Sequence, residues 1–342
     1  MSARQVLVPL EIDPSPPPPG SRLEALSGTS MGTGWSARLM RTAGLAADLP
    51  GLLRNALQAE LDEIVAQMSH WEEDSLLSRY NRAPAGSWHA LPPQFFEVME
   101  YALGVHELSG GAYDPAAGLL VNLWGFGAAG RYDQAGFYAP LPAAIAEALA
   151  RCRAARPVLD RTARRLLQPG GAILDLSSVA KGYAVDSMAL CLERHGVHHY
   201  LVEAGGELRG AGTKIDGQPW WVEIEGVPDA AGEEQAVLAL HGLAVATSGD
   251  YRRHFRHADR RISHTLDPRS GYPIANGVAS STVIAPTCMA ADALSTALTV
   301  MGPEAGLAFA EARRLPARFL LRREAQSGLA EVTSSAWRAL LQ

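Results

Sequence analysis

The sequence predicts an α+β fold, and three observations predict it. Apolar residues recur at helical spacing in several stretches, and short β-type runs separated by glycine-rich turns fill the second half of the chain. The two kinds of segment do not follow the strict βαβ alternation of a parallel sheet. At 342 residues the chain is long enough for one large domain or two intimate subdomains.

Taken in order, residues 1–22 read as a flexible arm, because Pro14, Pro16, Pro17, Pro18 and Pro19 oppose regular backbone pairing. Residues 23–342 read as the folded domain. Leu53, Leu57, Leu61, Ile64 and Met68 recur every three or four positions and predict an amphipathic helix over 51–68. A second helix is expected over 93–108, with Phe96, Met99 and Leu103 inward. Residues 128–142, rich in Gly, Ala and Pro, read as a loop. A helix is expected over 177–195, capped by Ser177 and followed by Gly196, where a left-handed residue suits the helix end. Strands are expected at 199–203, 220–224, 236–240 and 278–284, and a last helix at 289–301 that stops at Gly302.

The composition bounds the function. Apolar residues are 47% and charged residues 19%, an ordinary globular balance, and the net charge is -6. An acidic excess argues against a nucleic-acid-binding surface, although a nucleotide ligand needs only a few local donors and a metal. Cys152, Cys191 and Cys288 are odd in number and far apart, so buried free thiols are expected rather than a disulfide framework or zinc knuckle. No apolar run is long enough for a signal peptide or a spanning helix, so the chain as given reads as soluble and cytoplasmic.

Five segments carry chemistry-bearing residues, and each has a structural alternative. Ser30-Met31-Gly32-Thr33 is a ligand loop or a glycine turn between strands. Trp71, in Met68-Ser69-His70-Trp71, can stack a flat ring or fill core. Gly110-Gly111-Ala112-Tyr113-Asp114-Pro115, leading to Leu123-Trp124-Gly125-Phe126-Gly127, allows close backbone approach to a ligand or makes a plain turn. Asp175-Leu176-Ser177-Ser178-Val179-Ala180-Lys181-Gly182-Tyr183 places hydroxyls and amides at a helix start, which is an anion site or a cap. Last, Thr247-Ser248-Gly249-Asp250-Tyr251 precedes His264-Thr265-Leu266-Asp267-Pro268-Arg269-Ser270-Gly271, then Ala291-Asp292 and Thr296. Asp292 and Thr296 share a helical face, and their hard oxygens suit Mg²⁺ rather than zinc; the alternative is an ordinary helix-start pair.

Taken together and in this order, from about Gly28 to Gly302, these segments and Gly205-Gly206-Glu207 resemble the FAD:protein FMN transferase family, the ApbE-like proteins. The resemblance implies an α+β fold with FAD in a cleft between subdomains and Mg²⁺ at the flavin diphosphate. It implies that Met31, Trp71, Ala112, Tyr113, Asp114, Ser177, Tyr183 and Leu266 contact FAD. The Ala180 carbonyl with the Asp292 and Thr296 side chains would hold the metal, and His264 would be the base. Three positions depart from the family pattern: Tyr113 stands where Phe is common, Glu207 where Asp is common, and Ser295 where some members are acidic. Many relatives are exported lipoproteins, whereas no export signal is read here.

The implied reaction moves the FMN half of FAD onto a threonine of a target flavoprotein and releases AMP. Such phosphoryl transfer needs positioning, charge neutralisation and a base. Two alternatives stand beside it. One is an FAD pyrophosphatase, with water as the acceptor. The other is a non-catalytic flavin-binding or delivery protein, which would have no need of the His264 base.

Overall fold

The computed structural model describes residues 5–13, 15–42, 48–228, 235–257, 260–323 and 328–342. The fold is α+β. Its frame is an eight-stranded sheet in the order Leu329–Thr333, Ala317–Arg322, Val278–Ala285, Leu243–Gly249, Glu207–Ala211, Tyr200–Ala204, Thr33–Arg41, Arg22–Ser30, with every neighbouring pair antiparallel. The helices are α1 (Leu49–Met68), α2 (Leu76–Arg82), α3 (Pro93–Leu108), α4 (Gly118–Leu123), α5 (Pro142–Ala154), α6 (Ala180–Arg194), α7 (Cys288–Ala312) and α8 (Ser335–Arg338).

Strand periodicity assigns the two faces of the sheet. Trp35, Ala37 and Leu39 join the large core formed with α1, α3 and α6, whereas Met40 faces the other way. Ala244 and Ala246 likewise turn toward helices, and Val245 toward a second layer. That second layer is a three-stranded sheet of Gln5–Leu7, Ala236–Leu240 and Trp220–Glu223, sealed by Trp337 and Leu340. The three cysteines are free and buried.

The expected helix over 51–68 is α1, with Leu53, Leu57, Leu61, Ile64 and Met68 buried. In α3 the buried stripe is Phe95, Val98, Met99, Ala102 and Val105, so Phe96 and Leu103 lie half-buried at its margin. Apolar residues surround most of that helix, and periodicity alone does not choose its phase. Helix α6 begins at Ala180, three residues later than expected. Asp175 Oδ1 accepts the Ser177 N–H at 2.8 Å, so residues 177–179 form a turn and Ser177 is not the cap. Gly302 (φ 80°) does end the first segment of α7, but Pro303 opens a second that continues to Ala312.

The N-terminal residues differ from the expected unpaired arm. Gln5–Leu7 pairs in parallel with Ala236–Leu238, Leu7 is fully buried, and Val8 N–H donates to the Leu340 carbonyl at 2.8 Å. Among the described residues after it, Pro16, Pro17, Pro18 and Pro19 lie outside any strand. Apolar Val6 and Leu7 reach past that constraint to pair and pack.

Candidate active site

The site is built where α6 and α7 meet over the middle strands of the eight-stranded sheet. Asp186, on α6, fixes the start of α7 by accepting the Cys288 and Met289 amides at 2.9 and 2.8 Å, while Arg209 pairs with it at 2.6 Å. This satisfies amides that a helix start leaves without partners. One turn on, Asp292 is 5% exposed and its Oδ2 accepts the Gly182 N–H at 3.0 Å. The approach needs glycine: a Cβ at Gly182 would lie 2.4 Å from the Cys288 carbonyl oxygen and 2.8 Å from Asp292 Cβ. Gly182→Ala is therefore expected to push α6 off α7 and to lower stability by about 1–3 kcal/mol. A thermal melt checks this, and an unchanged midpoint would mean that the helices are not pinned there.

No cation lies within ion-pair distance of Asp292 among the described residues. Burial pushes its carboxyl pKa up to about 7; the Lys181 charge and the Gly182 N–H oppose the rise, and Glu207 adds to it. A buried carboxylate held this way gains from a bound cation. Thr296 follows one turn later, half-buried, with Oγ1 2.9 Å from Ser248 Oγ. Ala180 opens α6, two residues before the amide that binds Asp292. One carboxylate, one hydroxyl and a carbonyl make an all-oxygen set that fits Mg²⁺. Among the described residues no cluster of three or more His, Cys, Asp and Glu could hold a metal. A cation here would complete its shell with water or ligand oxygens, as Mg²⁺ commonly does.

Lys181 and Glu207, given no role by the resemblance, stand beside this junction. Lys181 Nζ donates to Glu207 Oε1 at 2.5 Å; Glu207 is 3% exposed and its Oε2 has no hydrogen-bond partner. His264 lies beyond, half-buried at the end of the Arg260–Ser263 strand. Its Nδ1 lies 3.0 Å from the Arg253 carbonyl, which can only accept, so Nδ1 carries the proton and Nε2 is left as an acceptor. Burial lowers the His264 pKa to about 4; the charges of Arg253, Lys181 and Arg252 add to this, and the bond to the Arg253 carbonyl opposes it.

The flavin-contact candidates divide. Met31 occupies the tip of the Arg22–Ser30/Thr33–Arg41 hairpin, where Met31 and Gly32 both have positive φ (51° and 73°), as a two-residue turn of this hand requires. Trp71 is 45% exposed, with Arg131 and Arg253 guanidiniums 6.0 and 5.8 Å from its ring centre. A flat ring stacked on Trp71 would lie beside two positive charges. A cavity of about 200 Å³ opens next to it, lined by His70, Ser78, Asn81, Asn122 and Asp175 among others, but not by Asp292 or His264.

Ala112 and Tyr113 are buried, and the Tyr113 hydroxyl has no hydrogen-bond partner of good geometry. Burial raises the Tyr113 pKa, and the Asp292 and Asp175 charges add to the rise. The Asp114 carboxylate is already committed, to Arg156 at 2.5 Å and the Ala116 amide at 2.9 Å, so its segment would meet a ligand through backbone. Ser177 is exposed beside Asp175. Leu266 is packed with Trp124, Phe126 and Ile145, two residues past His264. Tyr183 stands apart: its hydroxyl donates to Glu97 Oε2 on α3 at 3.3 Å and its ring is in the main core. Lys181 and Tyr183 are two residues apart on α6, so they face opposite ways, and the structure does not bring Tyr183 to Asp292.

The chain matches the ApbE family profile over residues 31–319. The FAD:protein FMN transferase of Haemophilus influenzae is 34% identical over 328 residues, covering 94% of this chain and 92% of that protein. Its counterpart from Vibrio cholerae is 36% identical over 317 residues, covering 92% of each. The apo crystal structure of Pseudomonas stutzeri flavinyl transferase ApbE aligns with a TM-score of 0.83 and 36% identity, over 94% of this chain and 97% of that one.

Proposed function

The chain belongs to the ApbE family, and on that premise we propose that it is an FAD:protein FMN transferase that works at the α6–α7 junction. The acceptor is a threonine hydroxyl of a target flavoprotein, and the products are the FMN-bearing protein and AMP. The observation that carries this reading is the pairing of a buried Asp292, without a cationic partner among the described residues, with a neutral His264 whose Nε2 is available.

Asp292, Thr296 and the Ala180 carbonyl would hold Mg²⁺ against the diphosphate of FAD. Bound there, Mg²⁺ would neutralise the charge that develops on the transferring phosphoryl group. Lys181, steadied by Glu207, is a cation beside the same junction. His264 Nε2 takes the proton of the threonine hydroxyl as its oxygen bonds to the FMN-side phosphorus. The diphosphate P–O bond then breaks toward AMP. The Arg253 carbonyl holds the imidazole in the tautomer this step needs. Trp71, Met31 and the Ala112–Asp114 backbone would seat the flavin and adenylate parts; Tyr183 is a supporting core residue.

The test incubates the full chain with FAD, Mg²⁺ and a candidate flavin-carrying protein, and reads the acceptor by mass spectrometry. One FMN on a threonine with equimolar AMP is the expected result. Free FMN made equally well without an acceptor would favour hydrolysis, and unchanged FAD would favour mere binding. No helix among the described residues is long and apolar enough to cross a membrane.

A further inference from the structure

Thr296 can serve a cation only if its hydroxyl offers lone pairs to the ion, and its single proton must then go elsewhere. The hydroxyls around it determine where. Ser295 Oγ donates to the Asp292 carbonyl at 2.9 Å. A carbonyl cannot donate, so the Ser295 proton is committed. Ser295 Oγ is also 2.8 Å from Ser248 Oγ, and in that contact Ser248 is the donor. Ser248 Oγ is in turn 2.9 Å from Thr296 Oγ1. With the Ser248 proton already directed to Ser295, Thr296 must donate here.

We propose that Ser248 and Ser295 are positioning residues for the cation site, forming a one-way chain from Thr296 through Ser248 and Ser295 to the Asp292 carbonyl. The chain turns the Thr296 proton into the protein and its lone pairs toward the ion. The inference rests on reading Asp292 and Thr296 as cation ligands. Its inner end is dry, since Ser295 is fully buried, so water does not compete for the direction of donation. Chained hydroxyls also polarise one another, and a hydroxyl on a cation is a stronger donor, so ion and chain reinforce each other.

The strand sequence carries a matching signal. Thr247 and Ser248 point to opposite faces of the sheet. Thr247 bonds Thr282 on the neighbouring strand at 2.8 Å, a contact within the sheet. Ser248 instead faces α7, and its strand pairing with Ser281 sets its position. Ser295, at a position that is acidic in some members of the family, therefore has a defined task. It ends the chain rather than adding a second carboxylate.

The test measures Mn²⁺ binding, as a stand-in for Mg²⁺, by electron paramagnetic resonance on the full chain with FAD present. Ser248→Ala is expected to weaken Mn²⁺ about tenfold, the scale of an outer-sphere ligand partner. Ser295→Ala should weaken it less, because Ser248 still accepts from Thr296. Ser248→Thr should retain binding. Adding Ser248→Ala to Thr296→Val should cost nothing further, since Ser248 acts only through Thr296. Losses that simply add, or an unchanged affinity in Ser248→Ala with a normal melt, overturn the chain. If Ser248→Ala does not fold, Ser295→Ala decides: no loss there overturns it equally. If Thr296→Val alone leaves Mn²⁺ affinity intact, Thr296 is no ligand, and the metal assignment falls along with the chain.

Discussion

Asp292→Ala is expected to abolish flavin transfer, by at least about a hundredfold, because it removes the one carboxylate of the proposed cation site, whose ion would contribute several kcal/mol to the transition state. Asp292→Asn separates charge from structure, since its side-chain oxygen can still accept from the Gly182 amide. It should be as inactive as alanine, yet without divalent cation it should melt higher than the wild type at pH 8. The reason is the buried charge. Folding raises the Asp292 pKa from 3.8 to about 7, so the folded protein holds more protons than the unfolded chain within that window. Asp292 therefore contributes a loss of stability to the cation-free wild type as pH rises from about 4 to 7, and the asparagine variant lacks that contribution. Mg²⁺ should raise the wild-type midpoint and leave the variant unmoved. Melting curves with chelator and with Mg²⁺ at two pH values test both statements. Wild-type turnover by Asp292→Asn at low Mg²⁺ would remove the cation from this position.

His264→Ala is expected to lower kcat about a hundredfold or more, while FAD affinity and the melting midpoint stay near wild type. The pH profile carries a second signature. An unperturbed histidine, at 6.5, would lose its function as a base below neutrality, but His264 is held at about 4 by burial and by Arg253, Lys181 and Arg252. Transfer should thus be insensitive to this group from pH 8 to about 5, with the acid limb near 4. The same depression means that the unfolded chain binds a proton that the folded one refuses between about 6.5 and 4. His264 therefore makes stability fall as pH falls through that window. Single-turnover rates across pH 4–8 in both proteins check the assignment. An acid limb near 6.5 that His264→Ala removes would mean that this base is not depressed, and full activity in a folded alanine variant would return His264 to a structural role.

Helix α1 was legible in the sequence because its apolar stripe is narrow and regular, and α3 was legible in extent but not in phase because apolar residues surround it. The strands 236–240 and 278–285 announced themselves through continuous apolar or small residues. The pairing of Gln5–Leu7 was hidden, since three residues before a proline run carry no periodic signal. At the site, Asp292 and Thr296 could be placed together by helical spacing alone. That Gly182 meets Asp292 across two helices, and that Ser248 reaches Thr296 from the sheet, are long-range contacts between residues 110 and 48 positions apart. No local pattern encodes them. Lys181 was visible only as a charge within a motif, and Arg253 lay outside every motif; their partners lie on other strands and loops. Tyr183 is the converse case, a motif residue whose ring the helical phase places in the main core.

The docking of the first strand has a consequence for the order of folding. Gln5–Leu7 is held between Ala236–Leu238 and the last residues of the chain, with Gln342 N–H donating to the Val6 carbonyl at 3.0 Å and Leu7 bridged to Leu341. Closing a loop of that length costs about 5 kcal/mol of chain entropy. Such a contact forms late, once the sheet has already shortened the effective distance between the ends. This layer is not complete until the segment carrying Trp337, Leu340 and Gln342 has been made and has packed. Until then the apolar face behind Trp220 and Leu238 lacks its cover, and apolar surface left open in this way favours association between chains.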